Sequence, residues 1–510
     1  MMRKRVRKLT AVCMVSAMAL LMAGCGPEQK AGKKAAPADG VEEISLFYAS
    51  AQPLDAEADQ PWYDEIEKRY GLRINAEVPP QSNSSERLQL IMAGGDYPDV
   101  IRFMDIRDKS YLDGVKNGVI IPVTEYLKNA ENIQRYTYDE SWDSLTIDGQ
   151  QYSIPVTSVV RNDGYAVRLD WLEKVGLTLP EDGIVSLDEF TEIIRRFTFN
   201  DPDGNGQNDT YGLGRYGAGD GTMGLAVPCP YGTFGWLKQT DESYPYMDKT
   251  YSKTDDLYKR SLQYSQDIFK EGLVDPNSPL LKRTQAEERF MQGITGVLSY
   301  FPGHIPAMAK KIEGTHPEAK IGYIVGIKDA SGKVVNNVAN STLYGMWCIT
   351  KTAKNPQKIV DFFDALLSEE GWPLNVYGVE GVHYTVENGK MTPTELFDRN
   401  THKGMMRRKE NIDLWANQLP MDEEWLATAS KWLGSAIETV TISEDRGFVP
   451  DAASRGSFID AKKKMSTTVT KIVMGEEPVD AYDKVLADWY QAGGEDYIKE
   501  MNAYIQSIAD

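Results

Sequence analysis

The sequence predicts an α/β fold, in which strands and helices alternate along the chain. Short runs of alternating polarity, as at residues 44–48, are followed by segments with the periodicity of a helix. Such alternation predicts a parallel sheet whose two faces are covered by helices. The 510 residues are 41% hydrophobic and 26% charged, which is enough for two domains with separate cores. The chain shows no internal repeat at a fixed period.

The first predicted elements after the leader are strand, helix, strand, helix and strand. Pro61 suits the first turn of a helix, and Gly71 suits the position just after its end. The predicted order is strand 44–48, helix 61–70, strand 73–78, a helix capped by Ser84 or Ser85, and a strand that includes Val100 and Ile101.

The later segments continue the alternation. A helix at 168–177 is stopped by a glycine, and Ser186 with Glu189 forms a capping box at the start of the next helix. Residues 212–250 are rich in Gly, Tyr and Pro, and we expect them to be irregular. Further predictions are helix 285–292, strands 296–300, 321–327 and 343–350, a helix starting at Asn355 and Pro356, and C-terminal helices broken near Gly475 and Gly493.

Residues 201–209 resemble most of a calcium-binding EF-hand loop. Oxygens stand at loop positions one, three, five, seven and nine, where position seven supplies a backbone carbonyl: Asp201, Asp203, Asn205, Gln207 and Asp209. Gly206 occupies position six, where the loop must turn. Position twelve is Gly212 instead of the usual glutamate, and no helical sequence follows. We expect a structural calcium site that takes its last ligand from elsewhere; the alternative is a turn without an ion.

The first 24 residues have the plan of a signal peptide. A basic segment containing five Lys and Arg residues precedes an apolar run from Ala11 to Ala23. The run is too short for a membrane span and ends in small residues before Cys25. This ending resembles the lipobox of bacterial lipoproteins, so we expect Cys25 to be lipidated; ordinary secretion is the alternative. Residues 25–42 then form a lipidated N-terminus and a flexible tether.

Charge and cysteine usage restrict the partners. The net charge of −19 argues against nucleic acid, and it disfavours a polyanionic ligand unless local arginines overcome it. Besides Cys13 in the leader and Cys25, the chain contains Cys229 and Cys348. An extracytoplasmic compartment permits them to pair, but buried free thiols are equally compatible with the sequence.

Motifs that would indicate an enzyme are missing from the sequence. It contains no Gly-x-Ser-x-Gly elbow, no His-Glu-x-x-His and no phosphate-binding loop. Its four histidines lack metal-binding spacing, and the glycines of residues 212–217 open no helix. A glycoside hydrolase needs only two carboxylates, so an exported, calcium-stabilised glycan-processing enzyme remains the alternative function.

In order along the chain, these landmarks resemble the extracellular solute-binding proteins of bacterial ABC transporters, in particular the large lipoproteins of oligosaccharide importers. The supporting stretches are the lipobox cysteine, residues 95–101, 152–155, 168–177, 201–209 and 381–386, and the C-terminal run from 471 to 494.

The resemblance implies a periplasmic-binding-protein-like fold with two discontinuous α/β lobes and a ligand cleft between them. It places lobe 1 at 43–155 plus 345–393, and lobe 2, with the calcium loop, at 156–344 plus 394–510. Hinge crossings are expected near Pro155, at 341–345 and at 391–394. It also implies a monomer, anchored outside the cytoplasm by lipid at the cell membrane, that gives an oligosaccharide to permease subunits by hinge closure and performs no catalysis.

A sugar cleft needs aromatic platforms edged by polar and charged groups, although aromatic side chains are more often part of a core. We chose candidate ligand-binding residues that lie near the expected crossings or in irregular segments. They are Arg168, Trp236, Tyr300, Tyr344, Trp372 and His383.

Overall fold

A computed structural model describes most of the chain after the leader and tether. The described residues are 40–50, 53–80, 84–106, 108–161, 163–217, 231–232, 235–240, 243–329, 331–335, 342–387, 390–409 and 423–508. The signal peptide, Cys25 and Cys229 lie outside them. Within these ranges, no helix combines the length and apolar character needed to cross a membrane.

The first lobe is built on a five-stranded mixed sheet. Its strand order is Leu72–Glu77, Glu42–Phe47, Val100–Phe103, Leu343–Ile349 and Ile154–Thr157. The first three strands are parallel, and Leu343–Ile349 runs antiparallel to both of its neighbours. The helices of this lobe are Ala56–Tyr70, Ser84–Gly94, Lys109–Lys116, Glu131–Tyr136, Asp139–Leu145, Pro356–Leu366 and Trp372–Val376.

The first helix begins five residues before the predicted start because Asp55 caps it. The Asp55 carboxylate accepts hydrogen bonds from the backbone N–H groups of Glu57 and Ala58, which the helix itself leaves unsatisfied. Pro61 therefore lies inside the helix. The helix ends as predicted at Gly71, whose φ of 61° is left-handed.

The second lobe contains a four-stranded sheet and a smaller three-stranded sheet. The first has the order Ile321–Ile324, Gly164–Arg168, Thr295–Tyr300 and Tyr211–Gly214, and the second has the order Val334–Val335, Gly326–Lys328 and Ile184–Ser186. The irregular segment expected from residue 212 thus starts inside a strand. The helices of this lobe are Leu169–Lys174, Leu187–Phe199, Leu257–Lys270, Arg283–Met291 and Ile305–Glu313.

The capping box at Ser186 and Glu189 is confirmed. The Ser186 hydroxyl accepts a hydrogen bond from the Glu189 N–H, and the Glu189 carboxylate accepts one from the Ser186 N–H. The apolar face of the helix that follows is buried, with Trp171 packed edge-on against Phe197 in the core of this lobe.

A third, helical core extends the second lobe. It contains the helices Gly456–Val473, Ala481–Trp489 and Glu495–Ile508 and the small strands Leu237–Lys238 and Tyr246–Met247. Tyr251 stacks on Trp489 with 4.4 Å between ring centroids. The predicted breaks are present, because Gly475 and Gly493 both adopt positive φ between helices. Helix Leu257–Lys270 contributes Leu262 to this core and Ile268 to the core of the four-stranded sheet.

The remaining elements are short or lie at the junction of the lobes. Helix Glu423–Glu438 packs near the junction through Leu433, which contacts Val159 and Phe301. Two hairpins pair Thr146–Ile147 with Gln150–Gln151 and Tyr384–Glu387 with Lys390–Pro393.

The chain passes between the lobes at two adjacent places. It leaves the first sheet after Thr157 and enters the second sheet at Gly164, and it returns to the first sheet at Leu343. The two crossings are joined by hydrogen bonds, since the Ser158 N–H donates to the Thr342 carbonyl at 2.5 Å. The Ser141 hydroxyl lies 2.7 Å from that of Thr342. The resemblance led us to expect crossings near Pro155 and at 341–345.

The third crossing is not at 391–394, where we expected it. Lys390–Pro393 is a hairpin strand, and the chain then stays with the first lobe. Met405 and Met406 are buried in the first core, and the Lys409 N–H donates to the Tyr136 carbonyl. Residues 394–409 therefore pack with lobe 1 instead of lobe 2.

His402 lies in this re-assigned segment and is buried in the first core. Its ring stacks on Trp62 at 4.5 Å between centroids, and its Nδ1 is 2.6 Å from the Tyr48 hydroxyl. Tyr63 packs edge-on at 4.6 Å, and the Asp59 carboxylate lies 3.9 Å from Nε2. Burial lowers the pKa of His402 to about 3 and raises the pKa of Asp59. The imidazole therefore stays neutral in the folded protein.

Acidification is expected to destabilise the protein through His402. Between pH 6.5, the ordinary pKa of the side chain, and pH 3, the unfolded chain binds a proton that the folded protein does not. The free energy of unfolding should thus fall as the pH drops below 6.5, by up to about 1.4 kcal/mol per pH unit. Denaturant unfolding at pH 7, 6 and 5 measures this slope. His402→Gln should flatten the slope and His316→Gln at a partly exposed site should not; equal slopes in the parent and H402Q would contradict the argument.

Candidate functional site

The crevice at the lobe junction begins at the end of a strand of the first sheet. Arg102 stands near the carboxyl end of Val100–Phe103, and carboxyl ends of parallel strands are where α/β folds bind ligands. Tyr344 opens the strand that returns from the second lobe and is 39% exposed. An Arg102 guanidinium N–H lies 3.4 Å from the Tyr344 carbonyl, so this edge brings an arginine and an exposed aromatic ring together.

Tyr344 is contacted by two arginines from distant parts of the sequence. The guanidinium carbon of Arg407 lies 3.2 Å from the ring centroid, and that of Arg102 lies 5.3 Å away. Arg102 also lies over Trp347, at 5.4 Å. Arg407 reaches this position because Met405 and Met406, directly before it, are buried in the first core. Cation–π contacts of this kind hold both guanidinium groups against the Tyr344 ring.

The second lobe supplies the opposite wall. Strand Thr295–Tyr300 ends in Tyr300, and Phe301 and His304 follow in the next turn. Arg161, from the first crossing, lies 3.9 Å from the Phe301 ring centroid, and Arg283 lies 5.8 Å from that of Tyr300. This wall therefore also combines aromatic rings with arginines.

The charges on the two walls influence one another. Burial lowers the pKa of Arg407 to about 9, helped by the positive charges of Arg102 and Arg161. Burial also lowers the pKa of His304 to about 4, with further contributions from Arg283, Arg161 and Arg407. His304 is nevertheless exposed to solvent. Arg407 of the first lobe is thus close enough to His304 of the second lobe, and to Arg161 on the crossing, for their charges to interact.

Of the six predicted ligand-binding residues, Tyr300 and Tyr344 lie at this crevice. Arg168 does not contact it. Its side chain is 3% exposed, forms two hydrogen bonds of 2.9 and 2.6 Å to the Asp170 carboxylate and lies over Trp171. The Arg168 prediction was wrong because the ion pair at the start of helix Leu169–Lys174 uses its charge internally.

The two tryptophans are core residues. Trp236 is buried in the helical third core, and its backbone N–H donates to the Ser443 hydroxyl. Trp372 is 9% exposed in the first core, with Arg408 lying 4.6 Å from its ring centroid. Neither ring has a free face of the size that stacking on a sugar needs, and both predictions are corrected.

His383 is also structural. It is fully buried, its Nδ1 accepts a hydrogen bond from the Val379 N–H at 2.8 Å, and its Nε2–H donates to the Ala58 carbonyl at 2.7 Å. Because both ring nitrogens form hydrogen bonds inside the first lobe, neither is available to bind a ligand.

Sequence reasoning missed the arginines and His304. Arg407 belongs to the basic run Arg407-Arg408-Lys409, which stands out in an acidic chain and could have been noticed. Arg102, Arg161 and Arg283 lie in segments far apart in sequence, and they meet only because the fold brings those segments together.

The loop 201–209 is closed by its own side chains. The Gly206 N–H donates to the Asp201 carboxylate at 3.0 Å, and the Asn205 amide donates to the carboxylates of Asp203 and Asp209 at 2.8 and 3.2 Å. Burial raises the pKa of Asp203, and its acidic neighbours raise it further. Gly206 has the positive φ expected for the turn.

The donor chemistry of this loop suits a hard cation. One carboxylate oxygen of Asp201 is buried without a hydrogen-bond partner, and three carboxylates lie within nine residues. In the conformation of the described residues, however, no three His, Cys, Asp or Glu side chains are arranged as a metal-binding group. For Gln207, the backbone N–H donates to the Asn205 side chain at 2.7 Å.

Comparison with known proteins identifies relatives along nearly the whole chain. A family model described as bacterial extracellular solute-binding protein matches residues 48–371. The polygalacturonan/rhamnogalacturonan-binding protein YtcQ of Bacillus subtilis (strain 168) is 25% identical over 96% of this chain and 96% of its own length. Lipoprotein LipO from the same strain is 24% identical over 99% of this chain and 100% of its own length.

Solved structures share the fold. The crystal structure of alginate-binding protein AlgQ2 without calcium ion matches with a TM-score of 0.65 at 20% identity, covering 92% of this chain and 99% of that one. The predicted two-lobe α/β fold is thereby confirmed.

Proposed function

This chain belongs to the bacterial extracellular solute-binding proteins, and on that premise we propose that it captures an oligosaccharide outside the membrane and delivers it to an ABC permease. The observation that supports the proposal is the pairing of aromatic rings with arginines at the lobe junction: Arg407 lies over Tyr344 of the first lobe, and Arg283 lies over Tyr300 of the second. Aromatic rings stack on the apolar faces of sugars, and charged groups bind hydroxyls and acidic substituents. The binding activities in the names of YtcQ and AlgQ2 support a glycan ligand.

Capture proceeds by closure of the two lobes. A ligand that contacts both walls binds the closed form more tightly, so its binding free energy shifts the population towards closure. Outside the crevice the lobes also touch, because Arg446 lies 3.4 Å from Asp143 and Gly447 packs against Ile106. The permease then recognises the closed form, and another subunit supplies the energy for transport.

A panel of neutral and acidic oligosaccharides tests this function by thermal unfolding. A glycan that binds only the folded state must raise the melting temperature with concentration. We expect one glycan class to do so and to be recovered uncleaved by mass spectrometry. Recovery of shortened glycan would support the glycan-processing enzyme instead.

We also propose that loop 201–209 holds a structural calcium ion. Asp201, Asp203, Asn205 and Asp209 would supply side-chain oxygens, and Gln207 its backbone carbonyl. A bound cation would compensate the clustered carboxylates and fix the loop between helix Leu187–Phe199 and strand Tyr211–Gly214. Calcium would stabilise this connection without taking part in ligand chemistry.

Calcium removal is therefore expected to lower the melting temperature. At a free concentration 100 times the dissociation constant, calcium contributes about 2.7 kcal/mol, which a chelator would remove. Asp203→Asn combined with Asp209→Asn should abolish the chelator effect. Glu181→Gln, at a side chain that is 98% exposed, should leave it intact. An unchanged melting temperature after exhaustive chelation would show that the loop is only a turn.

Finally, we propose that Cys25 is lipidated and anchors the protein outside the cytoplasm. The lipobox-like sequence and the relationship to lipoprotein LipO support this anchor. Mass spectrometry of the membrane fraction should find a diacylglycerol adduct in the parent. If Cys25→Ala remained in the membrane fraction to the same extent, the proposal would fail.

A further inference from the structure

Four arginines from separate segments converge on the crevice. Arg102 lies near the end of a strand of the first lobe, and Arg407 follows the buried methionines of that lobe. Arg161 lies on a crossing, and Arg283 begins helix Arg283–Met291 in the second lobe. Their guanidinium groups lie against the rings of Tyr344, Phe301 and Tyr300. Positive charge therefore faces the crevice from both lobes and from the hinge.

Among the described residues, two of these arginines have a carboxylate beside them. Asp163 lies 3.1 Å from Arg161, and Glu287 lies 2.8 Å from Arg283. No carboxylate of the described residues lies within ion-pair distance of Arg102, whose Nε is buried without a hydrogen-bond partner. The guanidinium of Arg102 thus has hydrogen-bonding capacity left for a ligand.

Holding these charges together is unfavourable in the protein alone. Like charges repel more strongly where protein displaces water, and the lowered pKa of Arg407 reflects both desolvation and the charges of Arg102 and Arg161. The chain as a whole is acidic, with a net charge of −19, so the positive crevice is a local exception. An anion placed between the walls would relieve the repulsion and would favour closure at the same time.

We propose that the oligosaccharide bound in this crevice carries carboxylate groups, so that the protein selects uronic-acid-containing chains over neutral chains. This inference rests on the proposed function, because it specifies the ligand of the same crevice. A guanidinium group binds a carboxylate through two parallel N–H···O bonds, a geometry that a neutral hydroxyl cannot reproduce. Tyr344 and Tyr300 can contact the sugar rings while arginines of the two lobes bind successive carboxylates. The protein would then recognise both the carboxylate charges of the glycan and the spacing of its sugar rings.

Isothermal titration calorimetry with matched ligands tests the inference. The probes are oligogalacturonates and oligomannuronates of three to six sugars, the same chains with methyl-esterified carboxyl groups, neutral oligosaccharides of equal length, and those neutral chains after sulfation. We expect at least one uronate series to bind, its methyl ester to bind roughly 10- to 100-fold more weakly, and the uronate affinity to fall with added salt. Tighter binding of the esters or of the sulfated chains would overturn the assignment of carboxylate.

Arginine variants test whether the crevice makes this discrimination. Arg407→Gln and Arg102→Gln should each weaken uronate binding roughly 10- to 100-fold and reduce its salt dependence. The matched control is Arg455→Gln, a surface arginine paired with Asp496, which should change neither. Arg407→Lys keeps the charge but loses the paired N–H geometry, and it should bind uronate more weakly than the parent. Melting temperatures of all variants show whether a loss of binding comes from unfolding.

The outcomes distinguish a failure of the proposed glycan-binding function from a failure of the carboxylate assignment alone. If no glycan of any class binds the folded protein, the proposed function fails and this inference fails with it. If neutral oligosaccharides bind at least as tightly as uronates and the arginine variants leave uronate affinity unchanged, the capture of a glycan stands and only the carboxylate assignment is overturned.

Discussion

Replacing Trp347 by alanine is expected to lower the free energy of unfolding by about 3–5 kcal/mol. The side chain is fully buried, stacks on Phe363 at 5.0 Å between centroids and meets Tyr48 edge-on at 5.5 Å. Its indole N–H donates to the Met405 carbonyl at 3.0 Å. Trp347 therefore joins strand Leu343–Ile349 of the first sheet to the segment that carries Arg407, and its loss should weaken ligand binding as well as stability.

Denaturant unfolding followed by circular dichroism measures the first effect, and calorimetry with the best glycan measures the second. Trp347→Phe is the matched control, because it keeps an aromatic ring in the core and loses mainly the hydrogen bond to Met405. It should cost less than half as much stability as W347A. Equal midpoints for the parent and W347A would contradict the packing described for the first lobe.

Replacing Gly212 by alanine is expected to cost about 3 kcal/mol or more. A Cβ at this position would lie 2.0 Å from the carbonyl oxygen of Ile194, which belongs to the backbone of helix Leu187–Phe199. Backbone atoms cannot rotate away as a side chain can. The strand Tyr211–Gly214 would have to move off the helix, and the Gly212 N–H would lose its 2.9 Å bond to the Thr198 hydroxyl.

Gly434→Ala is the control for this experiment. Gly434 lies inside helix Glu423–Glu438, and a Cβ there would meet no atom within 4 Å. Alanine is the better helix former, so G434A should stabilise the protein by about 0.5–1 kcal/mol. If G212A were as stable as G434A, the close contact between strand and helix would not exist.

Local sequence patterns were sufficient to predict much of the fold. The Ser186–Glu189 capping box and the glycine at position 71 act within one turn of the chain. The helix start and the helix end that they cause can therefore be predicted from the sequence alone. Strand Tyr211–Gly214 was missed because its glycines resemble a loop. Gly212 is needed because the backbone there passes so close to helix Leu187–Phe199 that no side chain fits, and a Cβ at Gly214 would meet Thr295 of the neighbouring strand. Both constraints arise from tertiary packing.

The crevice was harder to predict than the fold. Tyr344 and Tyr300 were predicted from their position near strands at the expected lobe junction, and their contact with a ligand stays a prediction. Arg168 and His383 have equally polar side chains near expected crossings, but an adjacent carboxylate and two backbone groups satisfy them internally. Whether a polar side chain faces a ligand or the core depends on its partners, and those partners come from segments distant in sequence.

The most direct test of capture between two lobes is small-angle X-ray scattering of the purified protein with and without a saturating glycan identified by the panel. We predict a smaller radius of gyration with ligand, because contacts to both walls favour closure. Arg446→Ala, which removes the contact to Asp143 outside the crevice, should still close when ligand is added. An unchanged radius of gyration, with binding shown by calorimetry in the same sample, would contradict capture by hinge closure.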